Sequence, residues 1–111
     1  MLASQQRPVP AVTLSEVLAT SDLPGGVVNV LTGKVGEVAP WLASHMDVNA
    51  IDLAGVDDAA LARDLEVAAA DNLKRVLRPR SRNQESWAEV PDLSRMLWAL
   101  ETKTVWHPIG T

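Results

Sequence analysis

The chain of 111 residues contains no cysteine, and this absence excludes several kinds of site. Without a thiol there is no disulfide framework, no thiolate metal site and no cysteine nucleophile among these residues. Phenylalanine and tyrosine are absent too, and the only aromatic side chains are four tryptophans. A core built from this chain must therefore be filled mainly by Leu, Val and Ala.

Long apolar runs and an excess of positive charge are also missing. No stretch of about 18 apolar residues predicts a membrane-spanning helix, and the first residues lack the apolar region of a signal peptide. The formal net charge is −4, so nucleic acid is not an expected partner. At 47% apolar and 22% charged residues the composition is that of a globular protein. We expect a cytoplasmic protein with neither membrane nor nucleic acid among its partners.

The hydrophobic pattern alternates between helix-like and strand-like segments up to residue 77. The predicted strands are residues 27–31, 48–53 and 73–77, and the predicted helices begin near Thr13, Gly36 and Asp57. Such alternation is typical of a parallel sheet with helices packed on its faces. The pattern breaks at Arg78. We therefore expect three parts: an α/β unit over 1–77, a linker or loop over 78–91, and a helix and strand over 92–111.

Helix starts and faces can be assigned in more detail. Pro8 and Pro10 predict a loop or edge segment over residues 1–12, and Thr13 and Glu16 then stand at capping-box spacing. Asp57 is the predicted cap of the third helix and Asp92 of the last one. The predicted core faces are Val38, Trp41 and Leu42 in the second helix and Leu61, Leu65, Ala68 and Ala69 in the third.

Several segments resemble one family. Residues 13–33, with the run Leu-Pro-Gly-Gly-Val-Val-Asn-Val-Leu-Thr-Gly, resemble the cofactor domain of aldehyde dehydrogenases. Residues 45–55 and 69–76 resemble the segments that follow in that domain, and residues 101–106 resemble the family's C-terminal strand. The resemblance implies an α/β fold with a small three-layer parallel sheet and flanking helices, a partial Rossmann-like cofactor domain, followed by a C-terminal helix and strand.

The same resemblance implies that catalysis is lost. The family's catalytic domain and its cysteine nucleophile would stand between residues 76 and 101, where about 24 residues are found, and the chain has no cysteine. The family's general-base glutamate would follow Val76 closely, but Pro79 falls near that place. We expect no catalytic residue, and a chain that is inactive alone, internally shortened and non-catalytic.

Some of the residues that the resemblance assigns to NAD binding are replaced in this chain. Leu2 stands where the family has a ribose-binding lysine and cannot donate a hydrogen bond, and Gln5 replaces a glutamate. Ser4, Gly33 and Gly55 are the remaining matches, and glycine also serves simple turns. NAD is thus a cofactor by resemblance only, and we expect no cofactor to bind tightly.

The C-terminal segment is the predicted interface. In the family this strand adds to the sheet of a neighbouring subunit, and an exposed strand left unpaired is prone to aggregate. Packing of Trp106 on its own domain is an equal alternative. The candidate interface residues are Thr102, Lys103, Thr104, Val105 and Trp106.

Other polar residues have simple structural interpretations. His45 and His107 are the only histidines and lack metal-ligand spacing, so surface or helix-end roles are favoured and no metal site is expected. The pair Asp57-Asp58 fits a helix N-terminus better than a cation site. A basic run could bind phosphate or nucleic acid, but a solvated loop or a contact with an acidic partner is favoured. That run consists of Lys74, Arg75, Arg78, Arg80 and Arg82.

Two functions remain open at this point. The first is a non-catalytic aldehyde-dehydrogenase-like protein that acts by association, either as a homo-oligomer or with a full-length aldehyde dehydrogenase subunit. The alternative is a residual nucleotide-binding module, in which Gly33, Gly55 and the helix N-termini after them hold the phosphates of NAD or NADP.

Overall fold

A computed structural model describes residues 1–78 and 93–107. The chain divides into two units, Met1–Pro79 and Arg80–Thr111. Among these described residues, the first unit carries three helices and two strands, and the second carries one short helix. In chain order the elements are α1 (Val9–Ala19), α2 (Val35–Ser44), β1 (Ala50–Asp52), α3 (Ala59–Ala70), β2 (Arg75–Leu77) and α4 (Leu93–Leu97).

The sheet of the first unit consists of β1 and β2, which run parallel. Ile51 lies opposite Val76, and the helix α3 connects the two strands as a crossover. The strands predicted over 48–53 and 73–77 are confirmed, although each is only three residues long. The observed fold is a small α/β unit, smaller than the three-layer sheet expected from the sequence.

The strand predicted over residues 27–31 is wrong except at its last residue. Leu31 forms a single parallel bridge to Leu2, with hydrogen bonds from Ala3 N to Leu31 O (2.8 Å) and from Leu31 N to Met1 O (2.9 Å). The residues before it lie in a turn. Gly26 has a φ of 83°, and the Asn29 side chain donates to the Gly26 carbonyl at 2.9 Å, which prevents an extended run from starting there.

Helix α1 begins a full turn earlier than the capping-box pattern predicted. It starts at Val9, with Pro8 as its N-cap and Pro10 in its first turn, and no side chain caps it. Proline is tolerated there because the first amides of a helix have no partner within it. Thr13 and Glu16 therefore lie inside the helix. No residue of α1 is buried.

The core of the first unit lies between α2, α3 and the sheet. Ala39, Ala43, Leu53 and Leu65 form its buried cluster, and Leu61 and Ala68 are among the half-buried side chains packed against it. The predicted face of α3 is thus confirmed. The predicted face of α2 is wrong for Trp41, which is 77% exposed, because the α2 residues that contact the cluster repeat every four positions, at 35, 39 and 43.

Helix α3 is capped by Asp58, not by Asp57 as predicted. The Asp58 carboxylate accepts from Ala60 N at 2.9 Å and from Leu61 N at 3.4 Å. Its own backbone is extended, as an N-cap requires. With two adjacent aspartates the sequence gives no ground for choosing between them, and only the position of the first helical turn decides.

The end of α3 places a leucine in a conformation that normally belongs to glycine. Leu73 has a φ of +57°, while Leu73 N donates to Ala70 O and Lys74 N donates to Ala69 O. This pair of bonds is a Schellman motif, whose left-handed position is usually glycine. Leu73 is 89% exposed, so its side chain makes little contact that would offset the backbone strain.

Replacing Leu73 by glycine is expected to stabilise the first unit by about 1 kcal/mol, because glycine adopts this φ without strain. Urea denaturation followed by circular dichroism measures the change. Leu73→Ala is the matched control, since alanine removes the apolar side chain and keeps the strained backbone; it should give no gain. A Gly variant that is no more stable than the Ala variant would contradict the assignment of strain.

A buried lysine ties the end of α2 to the start of β2. Lys74 is 8% exposed, and its ammonium donates to the His45 carbonyl at 2.7 Å and to the Asn72 side-chain oxygen. Asn72 in turn donates to the Met46 carbonyl at 2.9 Å. The positive charge therefore sits against the C-terminal end of α2, where the helix dipole favours a cation.

We expect Lys74→Met to destabilise the fold by about 1–2 kcal/mol, because it leaves two part-buried acceptors without their donor while keeping the apolar stem. Lys34→Met is the control. Lys34 pairs with Glu37 at 3.0 Å but its side chain is 76% exposed, and loss of such a pair should change the stability by less than about 1 kcal/mol. Equal effects of the two substitutions in thermal or urea unfolding would rule out the structural role of Lys74.

The second unit is described over residues 93–107. It contains α4, and residues 101–107 follow without regular secondary structure and fully on the surface. The strand predicted over 102–106 is therefore absent from the described part of this unit. Asp92 and most of the predicted linker over 78–91 lie outside the described residues. None of the described helices has the length and apolar character needed to cross a membrane.

Candidate cofactor-binding edge

The residues that the resemblance assigns to NAD binding lie just after the C-terminal ends of the parallel segments. Residues 4–5 follow the Met1–Ala3 segment, residues 32–35 follow Leu31, and residues 53–58 follow β1. We call these three stretches the carboxyl edge. Val35 and Val56 pack against the same core cluster, which joins the second stretch to the third. In open α/β folds, ligands bind at such an edge.

The side chain of Gln5 contacts the first residue of α2, so its hydrogen bond is made within the chain. Its side-chain oxygen accepts from Val35 N at 3.0 Å. The side chain of the N-cap residue Lys34 does not cap the helix, and Gln5 satisfies the first amide of the helix from 30 residues away in sequence. Ser4 makes a local contact only, in which its hydroxyl accepts from Arg7 N at 3.3 Å. The structure thus brings Gln5, but not Ser4, into contact with the helix that follows Gly33.

The backbone conformation at position 33 requires glycine. Its φ is +155°, and a Cβ added there would lie 3.0 Å from Cγ2 of Val38. The glycine is therefore explained by the turn into α2 and needs no ligand to account for it. Gly55 differs, because it carries no positive φ and an added Cβ would meet no atom within 4 Å.

Gly33→Ala should destabilise the protein by about 1–3 kcal/mol, through backbone strain and the contact with Val38. Gly36→Ala is the matched control, since Gly36 lies in α2 with open space around it; there alanine should stabilise by about 0.5 kcal/mol. Chemical unfolding of both variants gives the comparison, and a Gly33→Ala protein as stable as the parent would contradict the geometry.

Acidic side chains occupy the third stretch of the edge. Asp52 accepts from Ala54 N at 2.8 Å, and Asp58 accepts from the first amides of α3. Gly55 lies between them in sequence and is exposed. Three backbone donors around this helix start, Ala54 N, Ala60 N and Leu61 N, are therefore already bonded to carboxylates of the chain.

Three cations of the first unit have partners within the chain. Lys34 pairs with Glu37, Arg78 pairs with Glu66 at 2.9 Å, and Lys74 is buried against His45. Lys74 and Arg78, two members of the predicted basic run, are thus engaged with this chain itself, and Arg80 and Arg82 lie outside the described residues.

The histidines play no part in a metal centre among the described residues. His45 ends α2, and its ring nitrogen Nδ1 accepts from Asp47 N at 3.2 Å, so the predicted helix-end role is confirmed. His107 is exposed in the tail. Residues 1–78 and 93–107 contain no group of three or more His, Asp or Glu side chains that could hold a metal ion.

Comparison with known proteins identifies the family. The family model described as "Aldehyde dehydrogenase family" matches residues 2–78, which is more than half of the chain. Over 73 residues the chain is 36% identical to "Aldehyde dehydrogenase, mitochondrial" of Leishmania tarentolae and 32% identical to "Aldehyde dehydrogenase family 2 member C4" of Arabidopsis thaliana. The chain belongs to the aldehyde dehydrogenase family.

The match concerns a small part of those relatives. It covers 66% of this chain but 14% of each relative, so the chain corresponds to a fragment of a family member. No solved structure matches the chain. Membership of the family implies NAD or NADP as a cofactor. The hydrogen bonds of the carboxyl edge decide whether its residues fit the phosphates of that cofactor.

The edge does not suit the phosphates of a dinucleotide. Gln5 occupies the first amide of α2, and Asp58 occupies the first amides of α3. Leu2 is apolar and cannot donate to a ribose. The sequence predicts the pair Asp57-Asp58 at a helix N-terminus, and Asp58 confirms it. The contact of Gln5 was not predicted, because nothing local pairs Gln5 with Val35.

Proposed function

We propose that this chain is a non-catalytic member of the aldehyde dehydrogenase family that acts by associating with a second copy of itself. The observation that carries the proposal is the exposure of α1. This helix is rich in apolar residues, yet none of them is buried. Its exposed large apolar side chains are Val9, Val12, Leu14 and Val17. A helix of this composition is stabilised in proteins by packing one face against another element.

The tail supports association as well. Val105 is 68% exposed and Trp106 is 82% exposed, and residues 101–107 pair with no strand in the described part of the chain. Exposed aromatic and β-branched side chains on an extended segment are suited to adding a strand to another sheet. The sheet of the first unit has two short strands, whereas stable sheets usually need more.

A second copy of the chain is the partner that fits the exposed helix α1 and the exposed tail. The chain itself carries a tail with two exposed apolar side chains, Val105 and Trp106, and a described sheet of only two short strands. Two identical chains can therefore exchange tails symmetrically, which is the usual form of a homodimer. The family resemblance of residues 101–106 points the same way. The interface residues of the proposal are Thr102, Lys103, Thr104, Val105 and Trp106.

The chain is proposed to be non-catalytic because of which residues it contains. No cysteine is present to attack an aldehyde, and Pro79, near the place where resemblance puts the general base, lies outside the described residues. Association is thus the activity for which these residues offer physical means. The cytoplasm, inferred from the composition, is the proposed compartment.

Light scattering on the full chain and on a chain lacking residues 101–111 tests the proposal. The full chain should be a dimer or larger at micromolar concentration, and the shortened chain should be a monomer. Trp106→Ser should weaken association by at least about tenfold, as expected for a buried aromatic anchor. Trp41→Ser is the matched control, since Trp41 is an exposed tryptophan of α2 and should leave the mass unchanged.

Two results would count against the proposal. A full chain that is monomeric at high micromolar concentration would refute self-association. Co-elution with a full-length aldehyde dehydrogenase from the same cell, without self-association, would replace the second copy by that enzyme as the partner.

A further inference from the structure

The start of α3 is the place in this fold where a phosphate would be expected. The helix follows β1 at the carboxyl edge, and in α/β folds the free amides of such a helix commonly hold the phosphates of a nucleotide. The donors concerned are Ala60 N and Leu61 N. Both point at the carboxylate of Asp58, at 2.9 and 3.4 Å.

An aspartate in this position acts against an anion in two ways. Its oxygen takes the hydrogen bonds that a phosphate oxygen would need, and its negative charge repels the phosphate at short range. Folding alone does not demand a charge there, because serine and asparagine cap helices as well as aspartate does. The carboxylate therefore has an effect on ligands that a neutral cap would not have.

Neighbouring contacts occupy two more amides of the edge in the same manner. Asp52 takes the Ala54 amide at 2.8 Å, in the loop between β1 and α3. Gln5 takes the Val35 amide at 3.0 Å, at the start of α2. Asp57 adds another carboxylate beside Asp58 in sequence. The nearest cation of the second stretch, Lys34, is paired with Glu37 at 3.0 Å.

We propose that Asp58 excludes phosphate-bearing ligands from the carboxyl edge of this aldehyde dehydrogenase family member, with Asp52 and Gln5 closing the adjacent amides. Asp58 is thus a specificity-determining residue that acts against dinucleotides. The proposal is independent of self-association, because it concerns the start of α3 and not α1 or the tail.

The test titrates the full chain with inorganic pyrophosphate and with NAD, and follows the backbone amides of Ala60 and Leu61 by NMR. The parent chain should show no saturable shift at these amides at millimolar ligand. Asp58→Gly removes both the charge and the occupying oxygen, and it should bind pyrophosphate at least about tenfold more tightly. Asp58→Ser keeps a neutral cap and protects the fold, and it should give an intermediate gain.

The matched control is Asp71→Gly, which removes the same charge from the other end of α3. It should leave the titration unchanged, and so separates the local effect from net charge. Saturable binding by the parent chain at Ala60 and Leu61, as tight as that of Asp58→Gly, would overturn the proposal. So would an Asp58→Ser protein that is folded by circular dichroism and binds no better than the Asp71→Gly control, because the exclusion would then lie elsewhere.

Discussion

The contact of α2 and α3 around Leu53 and Leu65 is the constraint on which the first unit depends. These are its largest fully buried side chains, and Ala39 and Ala43 of α2 complete the buried cluster. Burial of a leucine contributes about 1.5–3 kcal/mol, so losing either one would remove much of the stability of so small a core. The starts of α2 and α3, and with them most of the carboxyl edge, are positioned by this cluster.

Polar contacts then fix the connections that the cluster leaves undetermined. Lys74 holds the turn after α2, Gln5 holds the start of α2, and Asp58 holds the start of α3. Each satisfies backbone groups at a helix end, where intrahelical partners are lacking. The edge that the resemblance assigns to NAD is here used for the chain's own hydrogen bonds. This accounts for a recognisable family sequence whose edge does not suit a dinucleotide.

The sequence predicts those parts of the fold whose signals are local. The face of α3 with Leu61 and Leu65 followed from helical periodicity, and the strands β1 and β2 followed from short apolar runs between turns. Trp41 was misassigned because periodicity alone cannot say which of two adjacent faces meets the sheet. The start of α1 was misplaced because proline is as compatible with a first helical turn as with a loop.

The candidate site was predicted only in outline. Resemblance selected Gly33 and Gly55, but their backbone geometries differ and only Gly33 is demanded by its turn. The contacts that decide the chemistry of the edge join residues far apart, such as Gln5 with Val35, 30 positions away. Such pairings depend on how the elements pack, and packing is not encoded in any one window of sequence.

The buried alanines limit which substitutions this chain can accept. Ala43 and Ala69 have no exposed surface at all, and Ala43 of α2 lies in the same buried cluster as Leu65 of α3. Enlarging either alanine would overpack its surroundings, at a cost of about 1–3 kcal/mol. Improvement of this protein by evolution or engineering is therefore best directed at its surfaces and helix ends, where no buried neighbour has to move.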